Sequence, residues 1–592
     1  MGWSDLLMGM SINAEASDAS VNYQDPQAQR ETPEVISGSE ILLRSLVREG
    51  VECIFGYPGG SVLNIYDALY ENTDLRHFLT RHEQGAIHAA DGYARSTGKV
   101  GVCIVTSGPG ATNLITGIAT AHIDSVPIVV ITGNVPLAMV GTDAFQEADI
   151  VGMTLPVTKH SFFVRDVKDL AHTVRAAFYI ANTGRKGPVL IDIPKDISTA
   201  STTFTWPERI NLRGYHVHHI VNYEQTNALL EAITRARRPL ILAGAGVIHA
   251  DASQELMQFA EQLQVPVTTT LLGLGGFPSH HPLWVGMPGM HGSYAANQAM
   301  QQADLIISLG ARFDDRLTMA LSGFAPQAEI AHIDIDKAEI GKNVPTKYPV
   351  VGDIKDILTY ILPKTRSSPS PEWLSSINTW KTLQPLRYAD SEDVLKPQWV
   401  IELLHRTTQG HAIITTDVGQ HQFWTAQYYQ FNRPRSLITS GGMGTMGFGL
   451  PSAIGAQIGA PDSLVISING DGGIQMSSHE LAVCAIHHLP IKVIVINNET
   501  LGMVRQLQET AFNQRYSHVD LSGSPDFVKL AEAYGVKGLR ATTKYEAEHA
   551  WQEALTTDGP VLIEFVVPSR ENVYPVVPNG KALDEMMLGD DA

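Results

Sequence analysis

Cysteine is nearly absent from this chain: Cys53, Cys103 and Cys484 are the only three in 592 residues, far apart in apolar segments and without Cys-x-x-Cys spacing. That excludes a disulfide framework and a cysteine zinc site, and points to buried thiols in a reducing, cytoplasmic compartment. Basic charge is short as well. Lys and Arg number 42 against 61 Asp and Glu, a formal net charge of −19, so the long-range field repels nucleic acid and anionic membrane surfaces. An anionic substrate must then be held by local positive charge or a metal ion. No apolar run reaches the ~18 residues of a membrane span; the longest, such as VPIVVIT at 126–132, are strand-sized. Residues 1–34 lack the basic start and apolar centre of a secretion signal and the arginine richness of a transit peptide, and are read as a mobile leader.

What the chain does have is apolar content, 44 % against 17 % charged residues, arranged as strand-sized runs alternating with amphipathic stretches. That alternation predicts an α/β protein with parallel sheets. Runs such as VGVCIVTSG (100–108), RPLILAGAGV (238–247) and SLVISINGDGG (463–473) each run into glycine at their carboxyl end and fall into three blocks. The expected architecture is three doubly wound domains at 35–206, 215–365 and 391–573. Residues 366–390, opening on RSSPSPEW, are expected to be a linker, and 574–592 a mobile closing tail.

The third block carries the most specific signal. SINGDGGIQM (467–476) ends a strand in an aspartate among glycines, and IKVIVINN (491–498) is the next strand. Between them Ser477 and Glu480 have capping-box spacing, which predicts a helix with Leu481, Cys484, Ala485 and Leu489 on its buried side. Strand, glycine turn, helix and parallel strand place Asp471 and Asn498 at one sheet edge. An acid and an amide beside free backbone N–H groups suit Mg²⁺ bridging to a phosphate; either motif alone is an ordinary turn.

GDGGIQMSSHELAVCAIHHLPIKVIVINN resembles the thiamine-diphosphate binding motif of the thiamine-dependent decarboxylase and carboligase superfamily. FGYPGG (55–60), RHEQGA (81–86), SGPGATN (107–113), GTDAFQE (141–147), GARFDDR (310–316), DVGQHQFW (417–424) and GGMGTMGFGLP (441–451) resemble acetohydroxyacid synthase catalytic subunits, in order over roughly 36–590. The three blocks would then be pyrimidine-binding, central FAD-binding and diphosphate-binding domains. The resemblance implies Mg²⁺ on Asp471, Asn498 and the carbonyl of Thr500. It puts Val418, Gly419, Gln420 and His421 beside the diphosphate, with Gly472 and Gly473 in the same turn. Gly444 and Met446 would hold the aminopyrimidine, Met446 as its apolar prop.

From the residues alone, Glu83 follows Thr80 at capping-box spacing and reads as a helix N-terminal carboxylate. The resemblance makes it the group that hydrogen-bonds the cofactor's pyrimidine and promotes its activation. Arg316 reads alone as part of a solvated charged loop; by resemblance its planar donor fork binds the second 2-keto acid, in a pocket shared with Gln146, Lys159 and Gly60. Simple decarboxylases of the superfamily carry a His-His pair in the first domain. None occurs in the first 200 residues here, and the pairs at 218–219, 280–281 and 487–488 read as surface histidines.

AGAGV (243–247) is a weak dinucleotide signal by itself. The resemblance assigns FAD contacts to Arg185, Gly244, Met290, His291, Gly310, Arg312, Asp314, Asp334, Ile335 and Asp353, with the flavin structural and the enzyme on the anabolic, branched-chain side. Met503 and Leu507 would line the substrate pocket. Most relatives have tryptophan where this chain has Leu507, which implies a weaker preference for 2-ketobutyrate over pyruvate. A homodimer or homotetramer with sites between chains, and a small regulatory subunit, complete the expectation. The rival readings are an FAD-linked pyruvate oxidase and a noncatalytic thiamine-diphosphate-binding homologue.

Overall fold

The computed structural model describes residues 34–215, 217, 221–366 and 370–589; the leader through 33 and the histidine pair at 218–219 lie outside the described residues. Three six-stranded sheets, parallel throughout, organise the chain. The first holds β1 (Cys53–Tyr57), β2 (Arg76–Leu79), β3 (Gly101–Val105), β4 (Ile128–Asn134), β5 (His160–Phe163) and β6 (Val189–Pro194), in spatial order 2-1-3-4-6-5. The second holds β7 (Pro239–Ala243), β8 (Val267–Thr269), β9 (Trp284–Gly286), β10 (Leu305–Leu309), β11 (Glu329–Asp334) and β12 (Tyr348–Val351), in order 9-8-7-10-11-12. The third holds β13 (Ile413–Thr416), β14 (Leu437–Thr439), β15 (Val465–Gly470), β16 (Lys492–Asn497), β17 (Lys537–Ala541) and β18 (Val561–Val566), in order 14-13-15-16-18-17.

Each order reverses inside the sheet between β1 and β3, β7 and β10, and β13 and β15, and the first and third step back once more at their far edge. In open parallel sheets the crevice beyond the strand carboxyl ends at that reversal is where ligands bind. The central strands are buried along their length, as sheets covered by helices on both faces require.

The helices that matter to the site are α1 (Glu83–Thr97), α2 (Ile115–Ile123), α3 (Leu170–Asn182), α4 (Pro371–Leu383), α5 (Gln420–Tyr428), α6 (Gly449–Gly459) and α7 (Gly502–Ala511). First and third domains join where α1 crosses α6. A Cβ on Gly455 would sit 1.7 Å from the Ala89 carbonyl oxygen, and one on Gly92 2.0 Å from that of Ser452. Glycine at both positions lets the two backbones touch.

Two segments differ from their sequence reading. The 366–390 stretch contains α4, which lies on the central domain: Trp373 and Ile377 are buried in its core, and the Trp373 indole donates to the Pro239 carbonyl at 2.9 Å. Pro and Ser punctuate only its start, and Pro at the first helical position favours helix initiation. The tail is docked. Val577 and Leu583 are fully buried against the central domain, and Val577 N donates to Met290 O at 2.8 Å. Leu583→Ala is expected to cost about 2–4 kcal/mol of stability, as such truncations do in cores, read as a lower denaturation midpoint at unchanged m-value.

Candidate active site

The third sheet's reversal brings together the loops after β13 and β15. Gly470 stands beside Ile496 of β16, so Asp471 and Asn498 emerge from neighbouring strands. Asp471 Oδ1 accepts the Gly472 amide at 3.0 Å, and the backbone amides of Glu499 and Thr500 also favour its charge. Oδ2 is buried without a partner, and burial pushes the carboxyl up to about 7. Buried carboxylate oxygens are normally satisfied, and a hard cation would supply the partner that Oδ2 lacks. Asn498 Oδ1 accepts from Thr500 N at 3.2 Å, while its Nδ2 donates to Gln420 Oε1 at 3.3 Å. One carboxylate plus amide oxygens fits Mg²⁺, which keeps water and phosphate oxygens in its shell.

Gly419 heads α5 with no side-chain cap, at φ 151°, leaving a helix N-terminus open to an anion. A Cβ on Gly419 or Gly470 would meet the His421 ring at 3.0 Å, so backbone and imidazole close on one another. His421 is buried and burial holds its imidazole down to about 4; it is therefore neutral. Met446 overhangs the Asp471 turn, its methyl 3.6 Å from where a Gly472 Cβ would stand, and Gly444 is at φ 64° with Val418 beneath it. These residues fit a thiamine diphosphate laid across the turn.

Sequence reasoning gave Asp417 no role. It is fully buried and receives the amides of Val418 at 2.7 Å and Gly447 at 2.9 Å, so it ties the Met446 loop to the start of α5. Gly473 allows this, since a Cβ there would fall 2.6 Å from Asp417 Oδ1. The signal was in the residues, as TTDVG also ends a strand in Asp and Gly. The capping box at Ser477–Glu480 does not form. A short 3₁₀ turn leads into a helix over Leu481–Ile486 with Leu481 and Cys484 buried. Glu480 instead accepts the Arg81 and His82 amides of the first domain at 3.0 and 3.1 Å, which outcompetes a local cap.

At the second sheet's reversal Gly244 N donates to Leu309 O, and a Cβ on Gly244 would meet Gly310 O at 2.2 Å. A cavity of about 1330 Å³ opens from here to the Met446 loop, larger than the ~300–1,000 Å³ of a usual ligand site. Arg185, Met290, His291, Gly310, Arg312, Asp314, Arg316, Asp334, Ile335 and Asp353 line it, together with Val418, Gly419, Gly444, Met446, Met503 and Leu507. An elongated dinucleotide fits such a space. Asp314 and Asp353 spend their carboxylates capping helix N-termini; burial raises the Asp334 carboxyl to about 6. The Arg316 side chain is exposed and rests 3.9 Å from the Met290 sulfur.

The first sheet's reversal holds a separate cluster. Glu83 opens α1, but the cap is His82, whose Nδ1 accepts from Gln84 N, and Thr80 bonds instead to its own turn. Asn113 Nδ2 donates to Glu83 Oε2 at 2.9 Å, a partner quoted in SGPGATN but given no role. Gln146 sits at φ 60° against Gly108, and Gly60 is exposed. None of Glu83, Gln146 or Gly60 lines the large cavity. Lys159 joins neither group. Its ammonium donates to Ile180 O, Thr183 O and Tyr215 at the end of α3, and burial lowers it to about 8. Of the described histidine pairs, His280, His487 and His488 are exposed and His281 is half-buried.

Family models for thiamine pyrophosphate enzymes match the three domains in turn: the N-terminal TPP binding domain at 36–153, the central domain at 226–361 and the C-terminal TPP binding domain at 417–565. The fold and site therefore define a thiamine-diphosphate-dependent enzyme. Acetolactate synthase large subunits are similar over nearly the whole length. That of Buchnera aphidicola (subsp. Schizaphis graminum) is 46 % identical over 94 % of this chain and 99 % of its own. The Haemophilus influenzae subunit is 46 % identical over 93 % and 98 %, and the isozyme 3 large subunit of Escherichia coli K12 44 % over 94 % and 99 %. This chain belongs to the acetolactate (acetohydroxyacid) synthase large-subunit family. No helix among the described residues is long and apolar enough to cross a membrane.

Proposed function

We propose that the synthase takes pyruvate as donor and a second 2-keto acid as acceptor, giving 2-acetolactate from pyruvate or 2-aceto-2-hydroxybutyrate from 2-ketobutyrate. The observation that carries the site assignment is the unpartnered, buried Asp471 Oδ2 beside Asn498 and the open N-terminus of α5. In this reading Asp471, Asn498 and the Thr500 carbonyl hold Mg²⁺, and Val418, Gly419, Gln420 and His421 flank the diphosphate. Gly444 and Met446 would hold the aminopyrimidine, Met446 as its apolar prop. Thiamine diphosphate supplies the nucleophilic carbon and electron sink for decarboxylation when bound. Glu83, with Oε2 fixed by Asn113, would be the carboxyl that hydrogen-bonds the cofactor's pyrimidine and holds the proton needed for its activation. Arg316 offers its guanidinium to the acceptor's carboxylate, with Gln146 and Gly60 supplied by the first domain; Lys159, whose ammonium is held by Ile180 O, Thr183 O and Tyr215, takes no part in this pocket.

FAD is assigned to the central cavity as a structural ligand, because the net reaction transfers no electrons. Glu83 is bonded to Asn113 within the first domain, Met446 overhangs the Asp471 turn of the third, and that domain already meets the start of α1 through Glu480; on this ground we propose a working site between two protomers of a homodimer or homotetramer. The relatives are named large subunits, and a small regulatory partner is proposed accordingly. The deciding experiment follows acetolactate and dissolved oxygen together in protein loaded with thiamine diphosphate, Mg²⁺ and FAD. Acetolactate without stoichiometric oxygen loss supports this reading; oxygen consumption with acetate or acetyl phosphate supports the oxidase and removes the role given to Arg316.

Leu507 lies 43 % exposed on α7, on the cavity wall. Leu507→Trp is expected to raise the kcat/KM ratio of 2-ketobutyrate over pyruvate by about tenfold, the scale of an added aromatic contact. Competition between the two keto acids measures it.

A further inference from the structure

Three consecutive residues at the end of α2, Ile123–Ser125, line the large cavity. Ile123 O accepts from Arg312, and Ser125 Oγ accepts from Arg185 Nε at 2.9 Å. Both arginines line the cavity, Arg185 from the first domain and Arg312 from the central one. Between them Asp124, 3 % exposed, turns the other way. Its Oδ2 accepts the Gly441 amide at 3.0 Å and its Oδ1 the Gly442 amide at 2.8 Å. Those glycines begin the loop that carries Gly444 and Met446. A Cβ on Gly442 would lie 2.9 Å from Asp124 Oδ1 and from the Ile123 side chain, so the loop is pressed onto the junction.

The carboxylate is itself fixed. Arg95 Nη2 donates to Asp124 Oδ2 at 3.0 Å, Nε to Asp91 at 2.5 Å, and Nη1 to the Thr439 carbonyl at 3.1 Å. Downstream, Thr120 and Thr445 share a hydroxyl hydrogen bond of 2.7 Å. The 441–445 loop is therefore pinned at both ends to α2 and the residue following it. Charge-assisted bonds to backbone amides in a dry setting are strong and directional, so whatever orders the junction orders the loop.

We propose that Ile123–Ser125 couples the two ligand sites: a dinucleotide seated against Arg185 and Arg312 steadies the junction, and Asp124 passes that order to the thiamine loop as a positioning residue. This rests on the FAD assignment above. A ligand that orders shared backbone lowers the ordering cost paid by the next, and the resulting coupling must be reciprocal.

The test is calorimetric titration of cofactor-free protein with thiamine diphosphate in Mg²⁺, with and without saturating FAD, and the reverse titration. The same factor, about 5–150-fold, is expected in both directions. Hydrogen exchange of the 440–446 backbone should slow when FAD alone is added. Asp124→Asn, which leaves Arg95 its Asp91 partner, should bring the factor towards one while both ligands still bind. Thr120→Val, which removes only the hydroxyl pair, should reduce it and serves if Asp124→Asn does not fold. FAD that binds without changing thiamine diphosphate affinity or 440–446 exchange overturns the coupling and leaves the flavin assignment standing. A wild-type factor retained in both variants also overturns it. Protein that takes up no FAD at all overturns the flavin assignment and the coupling together.

Discussion

Glu83→Gln is expected to lower kcat for acetolactate by about 10²–10⁴-fold, the usual worth of a positioned proton-transfer group, with little change in melting temperature. The asymmetry follows from the local structure. Glutamine has the shape of glutamate, and its amide oxygen can still accept from Asn113 Nδ2, which holds Oε2 at 2.9 Å. The helix start does not depend on the carboxylate either, because His82 Nδ1 supplies the cap through Gln84 N. What glutamine cannot do is release and regain a proton. Steady-state rates, a melting curve and thiamine diphosphate titration on the same preparation separate these effects. Lost turnover with retained binding and stability is the expected pattern. Unchanged turnover would instead favour the noncatalytic homologue.

Most of the architecture, and the convergence of Asp471 and Asn498 at one sheet edge, was legible because it depends on local pattern. Period, glycine punctuation and strand-sized apolar runs specify parallel sheets, and a crossover between adjacent strands forces Asp471 and Asn498 to one edge. The loops after β1, β7 and β13 likewise stand at the reversals of their sheets, where the quoted motifs lie. What local pattern could not show is the choice of partner. Ser477 and Glu480 have capping spacing, yet Glu480 satisfies two first-domain amides nearly 400 positions away. Asp124, Asp417 and Asn113 look unremarkable along the chain and become significant only when backbone amides or Glu83 are brought against them. The tail reads as mobile from its Pro and Gly, but Val577 and Leu583 find an apolar face that only the folded central domain presents.

A pair of inactive variants should restore one another. Asp471→Ala removes the only carboxylate of the proposed Mg²⁺ site and should weaken thiamine diphosphate binding by more than the ~10–100-fold lost with an outer-sphere partner. By itself it is inactive, as Glu83→Gln nearly is. If a working site takes Glu83 from one protomer and Asp471 from its partner, a mixed dimer has one site with both residues intact and one with neither. Random assembly makes half the dimers mixed, so co-expression of the variants should recover roughly a quarter of wild-type activity. The structure gives the reason to expect this. Glu83 bonds within the first domain, beside Gly110 and Asn113, and does not line the cavity into which Met446 and Val418 face. The same chain's third domain is already engaged with the α1 helix through Glu480 and the α1–α6 crossing, which occupies the other side of that helix. A site within one chain predicts no recovery at any mixing ratio. A site between chains predicts recovery that peaks at equal expression and falls towards either pure variant.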